Sequence, residues 1–514
     1  MNGADVLIET AVRAGVEACF ANPGTTELPL VSALDNVEGI RGILCLFEGV
    51  CTGAADGYGR MKGKPAATLL HLGPGFANSI ANLHNANRAA TPVINIVGEH
   101  ATWHLPNDPP LAMEIAALSG TVSGWHRTMQ SPGDASRDMV AAFQAAMSGK
   151  IATLVVPHDY QSAAVAGPRI YTPEIEVPPV DYKQVEKAAT LLKKSARPAL
   201  VLGGDGLTEK GLTAASRVAA AVGCDLLCDT FPARVDRGAG LPDVIKIPYF
   251  PEMALDLLKQ YDVLIFAGTR EPVAFFGYEG LPGRLVSENQ AVAHISNTPS
   301  GAAGAIHALA QELDAPSKPR NHMASEPSRP EIPTGKLDSH KACAVIAAIQ
   351  PERAIVVDES ITSGMSYFPI SAGCGPFTYL SLTGGAIGQG LPCAAGAAVA
   401  CPDRPVICFQ ADGSAMYTIQ ALWTQARENL NVTTLICNNR GYDILKLEHA
   451  RAYGQAVPGD NARAMTDLSG IDWVRMGEAH GVSSVSVKTS RELADALESA
   501  LENTGPNLID MQFF

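Results

Sequence analysis

The sequence predicts an α/β protein of three doubly wound domains, each a parallel sheet with helices on both faces. Three observations carry this. The chain has 514 residues, about three domains' worth at roughly 150 residues each. Strand-length runs of uniformly apolar residues alternate with alanine-rich helical segments, the pattern of a parallel sheet covered on both sides. Two proline-rich stretches without apolar periodicity, 167–182 and 315–336, mark interdomain connections. The expected domains are 1–166, 182–314 and 337–514.

Taken in order, a helix over 4–16 with Leu7, Ala11 and Ala14 at helical spacing runs into the extended segment EACFA, which stops at Asn22-Pro23-Gly24. The rhythm repeats with ILCLF before Glu48, PAATLLH before Gly73-Pro74-Gly75, PVINIVG before Glu99, and IATLVVP near residue 155. PALVLGGDG, VGCDLLC, DVLIFAG and AVAHIS are the expected strands of the second domain. RAIVVDE, PVICFQADG, NVTTLICNN, VSSVSV and NLIDMQ are those of the third.

Composition excludes several classes. Lys and Arg total 38 against 52 Asp and Glu, a net charge of −14, the wrong sign for nucleic acid or an anionic membrane. Eleven cysteines without CxxC or a Cys/His cluster read as reduced thiols; the nearest pair, Cys224 and Cys228, lacks partners for zinc. Asp5 and Glu9 interrupt what a signal peptide would need, and no 18-residue apolar run follows. A soluble, cytoplasmic protein is expected, with neither nucleic acid nor membrane as a partner.

The most informative stretch is 405–439, a strand, an acidic-glycine turn, a helix, a strand and two asparagines. Ligands of open parallel sheets collect at the carboxyl ends of strands, where Asp412 and Asn439 both fall. Taken singly, Asp412 reads as a helix cap and Asn438-Asn439 as a turn. Together, a carboxylate and a carboxamide suit a hard cation such as magnesium, and Gly413 and Ser414 open a helix whose free N–H groups take an anion. A magnesium-bound diphosphate is the expected ligand.

This pairing resembles the cofactor motif of thiamine-diphosphate enzymes, with Ala411 where the usual pattern has glycine. The whole chain is similar to the family that includes acetolactate synthase large subunits and benzoylformate decarboxylase. The resemblance implies a pyrimidine-binding, a central and a diphosphate-binding domain, and decarboxylation of a 2-oxo acid through an enamine that is released as an aldehyde or joined to an acceptor. Asp412, Asn439 and the Gly441 carbonyl would hold Mg2+, and Gly413, Ser414 and Thr362 would face the diphosphate. Gly385 would accept from the cofactor's amino group and Ile387 would bend it, with Tyr417 and Ile444 also against the cofactor. Glu48 would exchange a proton with the aminopyrimidine, where the residue pattern alone reads as a helix-terminus cap. His71 would transfer protons or bind the substrate carboxylate, and Thr25 would contact substrate.

The departures bear on substrate. Phe276 stands near the position of the decarboxylase's second active-site histidine, and Glu448 replaces an apolar pocket residue. An unpaired carboxylate there disfavours a phenyl ring, so a small or polar 2-oxo acid is expected rather than benzoylformate. FAD is not expected. The family implies a homodimer with shared active sites, assembled into a homotetramer. Acetolactate synthase and acyl-CoA lyase activities are alternatives within the family. Outside it, Gly203, Gly204 and Gly206 after PALVL suggest a nicotinamide-dependent dehydrogenase, but without a full GxGxxG. A non-catalytic paralogue would be expected to have lost Glu48.

Overall fold

The structure, a computed structural model, describes residues 1–166, 170–174, 178–317, 325–454 and 459–514. Residues 167–169, 175–177 and 318–324 of the expected linkers lie outside the described residues, and 325–334 carry no helix or strand. The chain divides into two compact units, one of Met1–Ile175, Pro330–Ile370 and Leu382–Phe514, the other of Glu176–Arg329 and Ser371–Ser381.

In the first unit, β1 (Ala18–Asn22), β2 (Arg41–Leu44), β3 (Ala66–Leu70), β4 (Val93–Glu99), β5 (Trp125–Thr128) and β6 (Ile151–Pro157) form a sheet ordered β2-β1-β3-β4-β6-β5. All its pairings are parallel. β3, β4 and β6 are buried along their whole length, as uniformly apolar runs must be. The strand β5, WHRT, is a fifth-position surprise: it occupies the sheet edge half-exposed, and its polar residues gave no strand signal.

The second unit carries β7 (Pro198–Leu202), β8 (Asp225–Cys228), β9 (Val235–Arg237), β10 (Ile245–Lys246), β11 (Val263–Ala267) and β12 (Ala291–Ser296). Its parallel sheet runs β10-β8-β7-β11-β12. Leu200 and Leu202 enter one hydrophobic core while Ala199 and Val201 enter the other, the two-residue alternation of a strand covered on both faces. β9 and β10, three and two residues long, are too short to read from sequence.

The remaining strands are β13 (Ile355–Glu359), β14 (Phe377–Ser381), β15 (Val406–Ala411), β16 (Val432–Asn438), β17 (Ser483–Val487) and β18 (Asn507–Gln512). β14 belongs to the second unit and pairs antiparallel with β9. The others lie in the first unit, parallel and ordered β17-β18-β16-β15-β13.

Within the first unit the helix Glu48–Lys62 packs on the helix Gly390–Ala400 with backbone against backbone. A Cβ on Gly57 would lie 2.0 Å from the Cys393 carbonyl oxygen, and one on Gly396 would lie 1.8 Å from that of Ala54. A buried ion pair sits beside this seam. Arg60 donates to both oxygens of Asp56 at 2.8 and 2.7 Å, and Asp56 also accepts from Thr91 and from Gln389, each at 2.6 Å. Buried charges persist only when paired and fully hydrogen-bonded in this way.

None of the eleven cysteines is in a disulfide, and ten of them are buried. Among the described residues, no helix is long and apolar enough to cross a membrane.

Candidate active site

The chain order around β1 sets the first half of the site. From β1 the sheet grows to one side through β2 and to the other through β3. Their carboxyl ends therefore flank the crevice where open α/β sheets bind ligands. The segment Gly24–Glu27 follows β1, and His71 follows β3.

Glu27 is fully buried and acts as the hub. Its carboxylate accepts from the Gly24 N–H at 2.8 Å, from the Thr26 hydroxyl at 2.7 Å and from His71 Nδ1 at 2.7 Å. A carboxylate can only accept, which puts the His71 proton on Nδ1 and leaves Nε2 as the acceptor nitrogen of the neutral ring. Leu72, next in the chain and fully buried, adopts φ 51°. A left-handed leucine costs about 1–2 kcal/mol, a strain located where the chain turns from β3 into the helix Leu72–Arg88.

Glu48 opens the helix Glu48–Lys62 and is 7% exposed. Its first-turn position favours a negative charge. Phe47 occupies the cap position, and the Glu48 Oε2 accepts instead from Asn78 Nδ2 at 2.9 Å. Glu48 and the stem of His71 flank Gly75: a Cβ there would lie 3.0 Å from Glu48 Oε1 and 3.4 Å from the His71 Cβ.

Two further groups stand at the end of β4. Burial raises the Glu99 carboxyl above its ordinary range, with Glu27 and Glu114 adding to the effect against the His100 N–H. Burial lowers the His100 imidazole, helped by His104 and His71. The buried Nε2 of His100 has no hydrogen-bond partner among the described residues. Glu99, His100, Met113 and Glu114 line a cavity of about 620 Å³.

The other half of the site lies at the ends of β15 and β16. Their register pairs Ala411 with Cys437, which brings Asp412 beside Asn438 and Asn439. Asp412 is 2% exposed, and its oxygens accept from the N–H groups of Gly413 at 2.7 Å and Arg440 at 2.9 Å. Burial pushes its carboxyl up to about 6 despite these backbone donors. Arg440 adopts φ 59°, wrapping the turn around the carboxylate. Asn439 Oδ1 accepts from the Gly441 N–H at 3.0 Å, and its Nδ2 donates to Asp443 at 2.8 Å. Ser414 is buried, and Tyr442 packs so closely on Gly413 that a Cβ there would meet its ring at 2.3 Å.

The donor set suits a hard divalent cation. A buried carboxylate held by neutral N–H groups lacks a counter-charge, and one carboxylate, a carboxamide and a carbonyl are all oxygen ligands. Among the described residues no cluster of three or more His, Cys, Asp or Glu side chains forms a metal site.

Thr362 follows Ile361, a β-branched residue at φ 52° after β13. Gly385 has φ 76°, and Ile387 is half-buried in the same loop. The loop's end at Gly388 touches Tyr417, itself exposed. Ile444 is half-buried in the helix Asp443–Tyr453.

Three substrate expectations change in detail. The hydroxyl that reaches His71 is that of Thr26, at 3.4 Å, whereas Thr25 is exposed. Glu448 is not an unpaired charge: Arg451, one helical turn on, donates to it at 2.9 Å. Phe276 belongs to the second unit, where it is 54% exposed and stands edge-on to Phe275. Glu27, Asn78, Glu99 and His100 were missed from sequence, although Glu99 ends an apolar strand run, the one available signal.

Family patterns match both halves of this site. "Thiamine pyrophosphate enzyme, N-terminal TPP binding domain" matches residues 1–120, and "Thiamine pyrophosphate enzyme, C-terminal TPP binding domain" matches 364–511, together more than half the chain. The chain belongs to the thiamine pyrophosphate enzymes. Its cofactor is accordingly thiamine diphosphate. This thiamine pyrophosphate enzyme is 48% identical over 516 residues, 99% of each chain, to a Mycobacterium tuberculosis protein provisionally named acetolactate synthase large subunit IlvX. It is 28% identical over 533 residues to benzoylformate decarboxylase of Pseudomonas aeruginosa, covering 97% of this chain and 96% of that one. In fold it matches the solved thiamine diphosphate-dependent 4-hydroxybenzoylformate decarboxylase of Rhodococcus jostii RHA1, with a TM-score of 0.86, 23% identity and complete coverage of both chains.

Proposed function

We propose that this enzyme decarboxylates a small or polar 2-oxo acid with thiamine diphosphate and Mg2+, releasing an aldehyde or joining the remaining fragment to an acceptor. The observation that carries the reading is that Glu48 and His71 flank Gly75, Glu48 held by Asn78 and His71 by the buried Glu27. Thiamine diphosphate, when bound, supplies the electron sink that decarboxylation requires.

The chain's own residues do the rest. Asp412, Asn439 and the Gly441 carbonyl hold the metal; Gly413, Ser414 and Thr362 take the diphosphate; Gly385, Ile387, Tyr417 and Ile444 orient the ring system. Glu48 holds and returns a proton at the aminopyrimidine, with Asn78 fixing its carboxylate. His71 delivers a proton from Nε2 to the substrate fragment or pairs with its carboxylate, and Glu27 stabilises the charged imidazole. Thr25 and Glu448 remain the proposed substrate contacts. With Glu448 neutralised by Arg451, the preference for a polar donor rests on the polar edge of Glu99, His100 and Glu114 rather than on a free charge.

The three-way division 1–166, 182–314 and 337–514, the homodimer with shared sites within a homotetramer, and a cytoplasmic location belong to the same reading. The free thiols and the net charge of −14 support the last. A second reading, ligation of two pyruvates to acetolactate, is favoured by the similarity to the M. tuberculosis protein.

Steady-state kinetics on pyruvate, 2-oxobutyrate, a polar 2-oxo acid and benzoylformate, following CO2 with and without an acceptor oxo acid, test both. A small or polar donor should give the highest kcat/KM. A benzoylformate optimum would overturn the substrate assignment, and acetolactate as the product from pyruvate alone would select the second reading.

A further inference from the structure

The loop 383–388 lies on the helix Leu72–Arg88, which grips it residue by residue. The Asn85 backbone oxygen accepts from the Thr383 hydroxyl at 2.7 Å, His84 Nε2 donates to the Gly384 oxygen at 3.1 Å, and Asn82 Nδ2 donates to the Gly388 oxygen at 3.3 Å. Asn85 itself is fully buried. Both ends of its carboxamide go to Ala386: Oδ1 accepts from the Ala386 N–H at 3.1 Å, and Nδ2 donates to the Ala386 oxygen at 2.7 Å.

This double bond sets a direction. The Ala386 N–H and the Gly385 C=O share one planar trans peptide and point opposite ways. With the N–H drawn onto Asn85, the Gly385 carbonyl must point away from the helix. Gly385, at φ 76°, has the freedom that would otherwise let this peptide rotate. We propose that Asn85 is a positioning residue for the cofactor's aminopyrimidine ring, acting by fixing the orientation of the Gly385 carbonyl. The proposal rests on the reading that Gly385 and Ile387 hold that ring.

Both ends of the loop are anchored independently of Asn85. Thr383 accepts from Arg60 at 3.0 Å, and Gln389 donates to Asp56 at 2.6 Å. Removing the carboxamide therefore frees one peptide rather than the whole segment.

The test compares two ligands by calorimetry in the presence of magnesium: thiamine diphosphate, and inorganic pyrophosphate, which lacks the ring. In Asn85→Ala, affinity for thiamine diphosphate should fall at least about tenfold while that for pyrophosphate stays within twofold. Asn85→Asp keeps the size and the acceptor for the Ala386 N–H, so it should lose less. If Asn85→Ala does not fold, a smaller but ring-selective loss in Asn85→Asp is the expected result. Equal weakening of both ligands, or no change in either, would overturn the proposal, the former marking Asn85 as merely structural. Ile387→Ala separates the two layers. A ring-selective loss there without one at Asn85 would sink the positioning role alone, and no ring-selective loss in either would sink the assignment of the loop to the ring.

Discussion

At the edge of the first sheet, the polar groups are side chains held by other side chains, Glu48 by Asn78 and His71 by Glu27. At the edge of the third, Asp412 is held by backbone N–H groups of Gly413 and Arg440. The first arrangement suits proton traffic, because the groups that it holds are themselves a carboxyl and an imidazole, able to gain or lose a proton. The second suits the retention of an anion and its cation, because backbone donors do not titrate. The lesson is one of vulnerability. On the proposed roles, the proton-handling half should be detuned through its supporting residues, whereas the metal-holding half should be most sensitive at the ligands themselves.

The largest expected effect is on the side-chain half. Glu48→Gln keeps the shape and the Asn78 contact but cannot exchange a proton, so turnover should drop about 10³-fold while cofactor affinity stays within a few fold. Hydrogen exchange at the thiazolium carbon of the bound cofactor reads this directly, and wild-type exchange would return Glu48 to a capping role.

Next comes the backbone-held half. Asp412→Ala should weaken magnesium-dependent binding of thiamine diphosphate about 100-fold or more. Unchanged affinity by calorimetry would remove the metal assignment and with it the contrast between the halves.

The raised Asp412 carboxyl adds a pH signature. Its folded value of about 6 lies above the ordinary aspartate range near 4. In the metal-free protein, rising pH between about 4 and 6 therefore removes stability, because the folded state retains the proton that the unfolded state has released. Metal binding needs the ionised form, so magnesium-dependent affinity should fall about tenfold per pH unit below 6. Titration calorimetry across pH 5–7 checks this, and the Asp412-specific slope should vanish in Asp412→Asn.

The smallest effect asks whether the two halves serve one site within a chain or across two. If sites are shared between subunits, mixing Glu48→Gln with Asp412→Ala chains should restore about a quarter of wild-type activity, from the one site per mixed dimer with both residues intact. No recovery in verified mixed dimers would place each site within one chain.

The same contrast explains what could be read from sequence. Asp412 and Asn439 flank a single strand-helix-strand unit, so a local pattern exposes them, and adjacent strands in register make them neighbours. The other half gathers Glu27, Glu48, His71, Asn78, Glu99 and His100 from the ends of β1, β2, β3 and β4 and from two helices. Glu48 and His71 were legible at strand ends. Glu27 was not, because nothing in NPGTTELP distinguishes a buried carboxylate from an exposed one. The long apolar strands were equally legible, while β5, β9 and β10 were missed because edge position or brevity removes the apolar pattern, and β14, FTYLS, because polar residues interrupt a strand that is buried along its whole length.

The glycine seam between Glu48–Lys62 and Gly390–Ala400 has a dynamic consequence. Two helices whose main chains touch at Gly57 and Gly396 have no side-chain layer to shear, so neither slides nor rolls without breaking contact. Glu48 at the start of one helix and the loop 383–388 just before the other are thus carried on a common rigid mount. In an amide exchange map this seam should be the slowest-exchanging band of the first unit, and any opening that admits substrate must be found in the loops around it.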